Sequence, residues 1–220
     1  MTWSQLAPLL WQGLTETVYM TFWASIASYA IGLPLGVLLV VTRRDSILPR
    51  PTLNAVLGVT VNFLRSIPFI IMLALLFPVT RAVMGSAIGT RSVIFPLVIS
   101  AFPYIARMVE GSLLEVDRGI QEAAVSMGST NAQIIFKVLL PEAVPSLING
   151  AAISVTTILA YTALASAAGG GGLGALAIVK GLNIRKFDIM YSASILLVAL
   201  VQLITVFGTR MTRRLDHKRR

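Results

Sequence analysis

The sequence predicts an all-α membrane protein with five transmembrane helices, gathered in a single domain over residues 1–220. Three observations predict it. Apolar residues make up 56% of the chain and charged residues 12%, where soluble domains run at roughly 45–50% and about 25%. The apolar residues fall into long runs without charge, and the cations collect between those runs. Nucleic-acid binding would need a basic stripe among polar and aromatic residues, so the net charge of +9 reads as membrane topology, with lipid and not nucleic acid as the surroundings.

A hydrocarbon layer about 30 Å thick takes about 20 residues of helix at 1.5 Å per residue. The first span is expected at 17–42, which holds no charged residue. The sixteen residues before it lack Lys and Arg, so they form no basic n-region and the run is a permanent span. Within it Gly32 and Gly36 form a small-residue packing pair around Pro34, a local kink. The second span, 52–80, is apolar except for Arg65, and Pro68 and Pro78 predict that it is kinked. The third, 92–109, carries Arg107 near its end, where a long side chain can snorkel to the headgroups. Residues 143–179 are uncharged, but Gly169, Gly170, Gly171, Gly172 and Gly174 would break a helix, so the fourth span is placed at 146–168. The fifth is 189–209.

Five spans put the termini on opposite sides, and the positive-inside bias chooses the orientation. With the C-terminus inside, the cytoplasmic side holds Arg43, Arg44, Arg50, Arg107, Arg118, Lys137, Arg210, Arg213, Arg214, Lys218, Arg219 and Arg220. The outer side holds Arg81, Arg91, Lys180, Arg185 and Lys186. This distribution predicts an outer N-terminus, a cytoplasmic C-terminus and a cytoplasmic loop over 110–145.

That loop reads as a helical elbow. Asp117 can cap a helix with Ile120, Ala123, Ala124 and Met127 on one face, at i, i+3, i+4, i+7 spacing. Gly128 supplies a left-handed residue to end it. Thr130 and Gln133 have capping-box spacing and start a second helix carrying Ile134, Ile135, Val138 and Leu139, which Pro141 is expected to stop. Periodicity alone also fits an amphipathic hairpin lying on lipid.

The identities add to the periodicity. Glu122-Ala123-Ala124, Gly128 six positions after the Glu, then Val138, Leu140 and Pro141 resemble the EAA loop of prokaryotic ABC importer permeases, with Val138 where Ile is commoner. The segments Phe63-Leu64-Arg65-Ser66-Ile67-Pro68-Phe69-Ile70, Ala106-Arg107-Met108-Val109-Glu110 and Lys137-Val138-Leu139-Leu140-Pro141-Glu142-Ala143 resemble the methionine-uptake permease subunits of that class. Asp117 departs from the pattern, which usually has Pro there, and it starts a helix as well.

The resemblance implies a type I ABC importer permease in a bacterial inner membrane, acting as a homodimer. Its implied partners are two copies of a cytoplasmic ATPase and an extracytoplasmic methionine-binding lipoprotein. It also implies that the elbow, through Glu122, Ala123, Ala124, Met127, Gly128, Val138, Leu140 and Pro141, is a coupling helix docked on the ATPase. ATP and Mg would then be used by that partner, and this chain would bind no cofactor and catalyse nothing. Glu122 is read as pairing with a base of the partner or of the loop, or as solvated.

Gly169–Gly174 lacks the Gly-Lys-Ser/Thr ending of a P-loop. Either it is a flexible outer loop, or with Ala163, Ala165, Ser166, Ala167 and Ala168 it lets fourth spans of two protomers approach closely. The resemblance favours the second and sets this span along a central passage, with Leu164 a gate and Ser166 beside it. Arg65, deep in a span, is either part of the passage with Ser66 and Pro68 or held by a carbonyl at the Pro68 kink.

The chain has no Cys and a single His, His217, which removes thiolate and disulfide chemistry, and no metal cluster is expected. The spans as placed contain no Asp, Glu or His, so neither ion-coupled transport nor a paired-carboxylate membrane enzyme is favoured. Five spans also do not halve into inverted repeats. A permease for another amino acid or a small anion is the alternative within the same class.

Overall fold

A computed structural model describes residues 3–215, and all the regular structure among them is helical. Ten α-helices follow one another: α1 Trp3–Val41, α2 Pro51–Ser66, α3 Phe69–Leu75, α4 Phe77–Met84, α5 Ile94–Leu114, α6 Arg118–Ser126, α7 Asn131–Gln133, α8 Leu140–Leu164, α9 Gly172–Ala175 and α10 Phe187–Leu215. Wider π turns at Ile134–Leu139 and Leu176–Asn183 extend α7 into α8 and lengthen α9. Among the described residues four helices are long and apolar enough to cross a membrane, and α2 with α3 makes a fifth if the bent pair is one span.

The helices depart from the expected spans in several places. The first helix starts at Trp3 rather than near residue 17, because Leu6 and Leu10, one turn apart, pack with Leu173, Leu176, Ile189 and Ala193. Glu16 therefore lies inside the helix and not before it. The second span is not merely kinked: α2 and α3 meet at 98°. Pro68 has no N–H to give to a continuing helix and disfavours helical backbone at Ile67; its carbonyl instead starts α3 by accepting from Ile71 and Met72 at 2.9 and 3.0 Å. Pro78 takes an early position in α4, where its missing N–H is harmless. Arg107 is not at a helix end, since α5 continues to Leu114.

The contacts sort the chain into two compact units, and each long helix contributes to both. The first takes the chain up to Ser28, Ile67–Ala101 and Ser154–Thr205. Its apolar centre is the Leu6, Leu10, Leu173 and Ile189 group. Phe69, first in α3, stacks on Tyr161 of α8 with centroids 4.7 Å apart.

The second unit takes Tyr29–Ser66, Phe102–Ile153 and the chain from Val206. Leu39, Val61 and Ala106 form its apolar centre. Gly32 and Gly36 let α1 lie against α5: a Cβ on Gly36 would fall 2.6 Å from Val109 Cβ and 2.7 Å from the Ala106 carbonyl oxygen. Asn54 of α2 donates to the Leu39 carbonyl at 2.6 Å and to Thr42 Oγ1 at 3.0 Å, tying down the end of α1. Arg107 points inward. It pairs with Glu110 at 2.5 Å and donates to the Gly58 carbonyl at 2.9 Å, so the snorkelling reading is replaced by a clamp of α5 on α2.

Candidate functional site

The elbow in the second unit forms as its residues dictate. Asp117 caps α6 by accepting from Gly119 N–H at 2.7 Å. At the other end Gly128 adopts φ +75°, its N–H reaches the Val125 carbonyl at 2.9 Å, and Ser129 N–H reaches Ala124 at 3.1 Å. These two bonds are the Schellman pattern, which needs a left-handed residue where Gly128 stands. Thr130 and Gln133 then close a reciprocal capping box, Gln133 N–H to Thr130 Oγ1 at 3.3 Å and Thr130 N–H to Gln133 Oε1 at 2.8 Å.

Pro141 does not stop the second helix, which runs without a break from Asn131 to Leu164. An interior proline clashes with the carbonyl four residues back and removes one bond of the ladder. Here the chain widens into a π turn over Ile134–Leu139 just before it, a known way to absorb such a defect. Pro145 is accommodated within α8 as well.

The apolar face assigned to α6 is only partly buried. Ala124 is 3% exposed and serves the chain's own packing, with Ile134 and Leu139 buried nearby in sequence, whereas Ile120 is 39% and Met127 78% exposed. Glu122 and Ala123 are exposed too, as is Pro141, while Val138 and Leu140 are half-buried. Among the described residues no ion pair involves Glu122, so a pairing within the loop is not formed. The elbow thus presents Glu122, Ala123 and Met127 outward on a helix whose two ends are both fixed.

The residues assigned to a passage fall in different places. Arg65 and Ser66 end α2 in the second unit; both are exposed, and Ser66 bonds back to the Asn62 carbonyl at 2.8 Å. Arg65 lies in the last turn of α2, just before the bend into α3. Pro68, Leu164 and Ser166 belong to the first unit. Leu164 is the last residue of α8 and is 46% exposed, while Ser166 is buried in the tight turn Ala165–Ala168 that follows.

The glycine run turns tightly and packs in part against its own chain, with Gly170, Gly172 and Gly174 buried and Gly169 exposed. Gly169, Gly171 and Gly172 all have positive φ, and a Cβ on Gly174 would fall 2.4 Å from Ala163 Cα. The close approach that glycine permits is made within this chain. The side chain of Ala167, and Lys218, Arg219, Arg220 and His217 in the tail, lie outside the described residues.

Two features escaped the sequence reading. Arg107 and Glu110 belong to a segment that resembles the family, but the bond from Arg107 to the Gly58 carbonyl joins positions 49 apart and left no periodic signal. Glu16 and Thr17 receive the amides of Gly172 and Leu173 across 156 positions. The only signal available was a lone acid at the edge of an uncharged run.

No group of three or more His, Cys, Asp or Glu that could hold a metal occurs among the described residues. Residues 32–220 match the family described as binding-protein-dependent transport system inner membrane component. The chain is 43% identical over 210 residues to a probable D-methionine transport system permease protein of Vibrio cholerae, covering 96% of this chain and 93% of that one. It is 46% identical over 160 residues to the D-methionine transport system permease protein of Escherichia coli K12, covering 71% and 74%. A chain of the MetNI methionine ABC transporter, solved in inward-facing conformations, matches with a TM-score of 0.96 at 43% identity, over 99% of this chain and 100% of that one. The chain therefore belongs to the inner membrane components of binding-protein-dependent transport systems.

Proposed function

We propose that this chain is the membrane-spanning subunit of an ATP-driven importer of methionine, in its L and D forms. It works as a homodimer with two copies of a cytoplasmic ATPase, receives its solute from an extracytoplasmic binding protein, and does not itself hydrolyse ATP. The observation that carries this reading is the elbow, a helix fixed at both ends that offers Glu122, Ala123 and an exposed Met127 to a partner. It stands in a chain 43% identical to a methionine ABC transporter chain over nearly its whole length.

The elbow can transmit movement because the helix after it runs unbroken into α8. When the ATPase pair closes on ATP, the two elbows are drawn together and the attached helices rock toward the outward-facing form; hydrolysis returns them. Arg107, bonded to Glu110 and to Gly58, makes α5 and α2 move as one piece. The passage runs along the end of α8, where Leu164 is the gate beside Ser166, with Pro68, Ser66 and Arg65 at the bend between α2 and α3. The elbow and the C-terminus face the cytoplasm and the N-terminus lies outside, as the distribution of Arg and Lys requires.

The test is uptake of labelled L- and D-methionine by cells that lack this chain and have no second methionine transporter, with and without the chain restored. Restored uptake of both forms is expected. Methionine uptake that restoring the chain does not raise would remove methionine as the solute, and uptake of other labelled amino acids or small anions, with and without the chain, would identify the replacement. Orientation is tested by labelling single cysteines at Met127 and Leu182, of which the first should react only from the cytoplasm.

A further inference from the structure

Glu16 is the one charged residue in the 39 residues of α1, and both its carboxylate oxygens are engaged. Gln12 Nε2 donates to Oε1 at 2.9 Å, and the backbone N–H of Gly172 donates to Oε2 at 2.7 Å. The next residue does the same. Thr17, 1% exposed, accepts the Leu173 N–H on Oγ1 at 2.8 Å and sends its own hydroxyl hydrogen to the Gly13 carbonyl at 2.9 Å. Two successive side chains of α1 thus take the first two amides of the apolar helix Gly172–Asn183. Those are donors that a helix leaves without internal partners, and a carboxylate beside them also meets the positive end of the helix dipole. No cation pairs with Glu16 among the described residues.

The glycines are shaped to this clasp. Gly171 and Gly172 have φ of +74° and +76°. A Cβ on Gly171 would fall 2.6 Å from Glu16 Oε2 and 2.8 Å from Thr90 Oγ1, and one on Gly172 would fall 2.7 Å from Thr17 Oγ1. Two residues on, Gly174 lies against Ala163, the neighbour of Leu164. A continuous set of contacts within the first unit therefore runs from Glu16 to Gly172, then Gly174, then Ala163 and the end of α8.

We propose that Glu16, with Thr17, is a positioning residue for translocation: it sets the glycine turn, and through Gly174 and Ala163 the end of α8 that carries Leu164. This rests on the reading of Leu164 as part of the passage. The carboxylate acts as a hydrogen-bond acceptor and touches no solute, so a neutral acceptor in its place should serve.

The complex of this chain with its ATPase, in liposomes, is compared with its Glu16→Ala, Glu16→Gln and Thr17→Ala variants. Loss of a bond to a charged group should speed hydrogen exchange at Gly172 about tenfold or more in Glu16→Ala, with Glu16→Gln within about threefold of the parent. Thr17→Ala should act likewise at Leu173. Methionine taken up per ATP hydrolysed should fall about fivefold in Glu16→Ala, ATP hydrolysis without solute should rise, and Glu16→Gln should restore both. Unchanged exchange in Glu16→Ala overturns the clasp, and faster exchange with unaltered coupling overturns the positioning role. If the parent complex takes up no methionine, the solute assignment fails, while exchange and solute-free hydrolysis still decide the role of Glu16. Should Glu16→Ala not assemble, Thr17→Ala supplies the loss at the clasp: unchanged exchange at Leu173 overturns the clasp, and faster exchange there with unaltered coupling overturns the positioning role.

Discussion

Ser129 gives its backbone N–H to the carbonyl of Ala124 at 3.1 Å, closing the elbow over Gly128, whose φ is +75°. Apart from its own backbone and its two chain neighbours, nothing lies within 4 Å of where a Cβ on Gly128 would stand. The constraint at this position is therefore conformational and not one of space, which separates it from the packed glycines of α1.

Gly128→Val should consequently distort the elbow without disturbing the spans. A β-branched residue at left-handed φ costs about 1–2 kcal/mol or more, enough to favour another turn. Membrane insertion and yield should match the parent, while association with the ATPase and methionine uptake fall. Gly128→Asn, which tolerates that backbone, should lose less. Full uptake by the valine variant would detach this turn from coupling.

Gly36→Val should fail for the opposite reason. Its Cβ would stand 2.6 Å from Val109 Cβ and 2.7 Å from the Ala106 carbonyl oxygen, and overpacking of this kind costs about 1–3 kcal/mol. Thermal unfolding in detergent should show the loss. A companion Val109→Ala should recover only part of it, because the Ala106 carbonyl is backbone and cannot retreat. Complete recovery would mean that side-chain crowding alone sets the α1–α5 distance.

Arg107 is held by one carboxylate and one carbonyl, and Arg107→Ala should leave both without their donor. Hydrogen bonds to a charged group contribute about 1.5–3 kcal/mol each, although Coulomb attraction is partly screened at this half-buried position. A destabilisation of about 2 kcal/mol is expected in thermal unfolding. Arg107→Lys should remain well below the parent, since a single ammonium does not reproduce the two-pronged geometry. Stability equal to the parent in both variants would reduce the Gly58 contact to an incidental one.

What was legible beforehand, and what was not, follows from the range of the interactions involved. The elbow was read in detail because Asp117, Gly128, Thr130 and Gln133 act on neighbours two to five positions away, where spacing carries the information. Hydropathy and charge located the apolar runs that α5, α8 and α10 cover, although the helix through α8 begins at Asn131 where the span was placed from 146. The Pro68 bend was recognised as a kink but not as a turn of 98°, since a proline dictates where a helix ends and the Phe69–Tyr161 stack lies far off in sequence. Pro141 misled because the π turn before it, Ile134–Leu139, absorbs the defect that would otherwise end the helix. The partners of Arg107 and Glu16 were invisible because each joins segments that only the fold brings together. Among the passage residues the sequence marked Arg65 by its charge, and the structure sets it in the last turn of α2, at the bend.

Met127 allows the elbow's surface to be tested apart from its shape. It is 78% exposed in the C-terminal cap of α6, and a large apolar side chain so exposed contributes little to the chain's own stability. Met127→Glu should therefore unfold at the parent's temperature and insert normally, since no buried contact is lost and the backbone there is right-handed. If Met127 seats in a cleft on the ATPase, a charge placed in that contact faces desolvation, and affinity should fall by about tenfold or more. Met127→Leu, which keeps the apolar volume, should retain most of it. The measurement is co-purification of the ATPase at graded concentration, with uptake read alongside. Equal ATPase binding by the Glu and Leu variants would place the contact elsewhere on the elbow, leaving Glu122 and Ala123 as the next positions to alter.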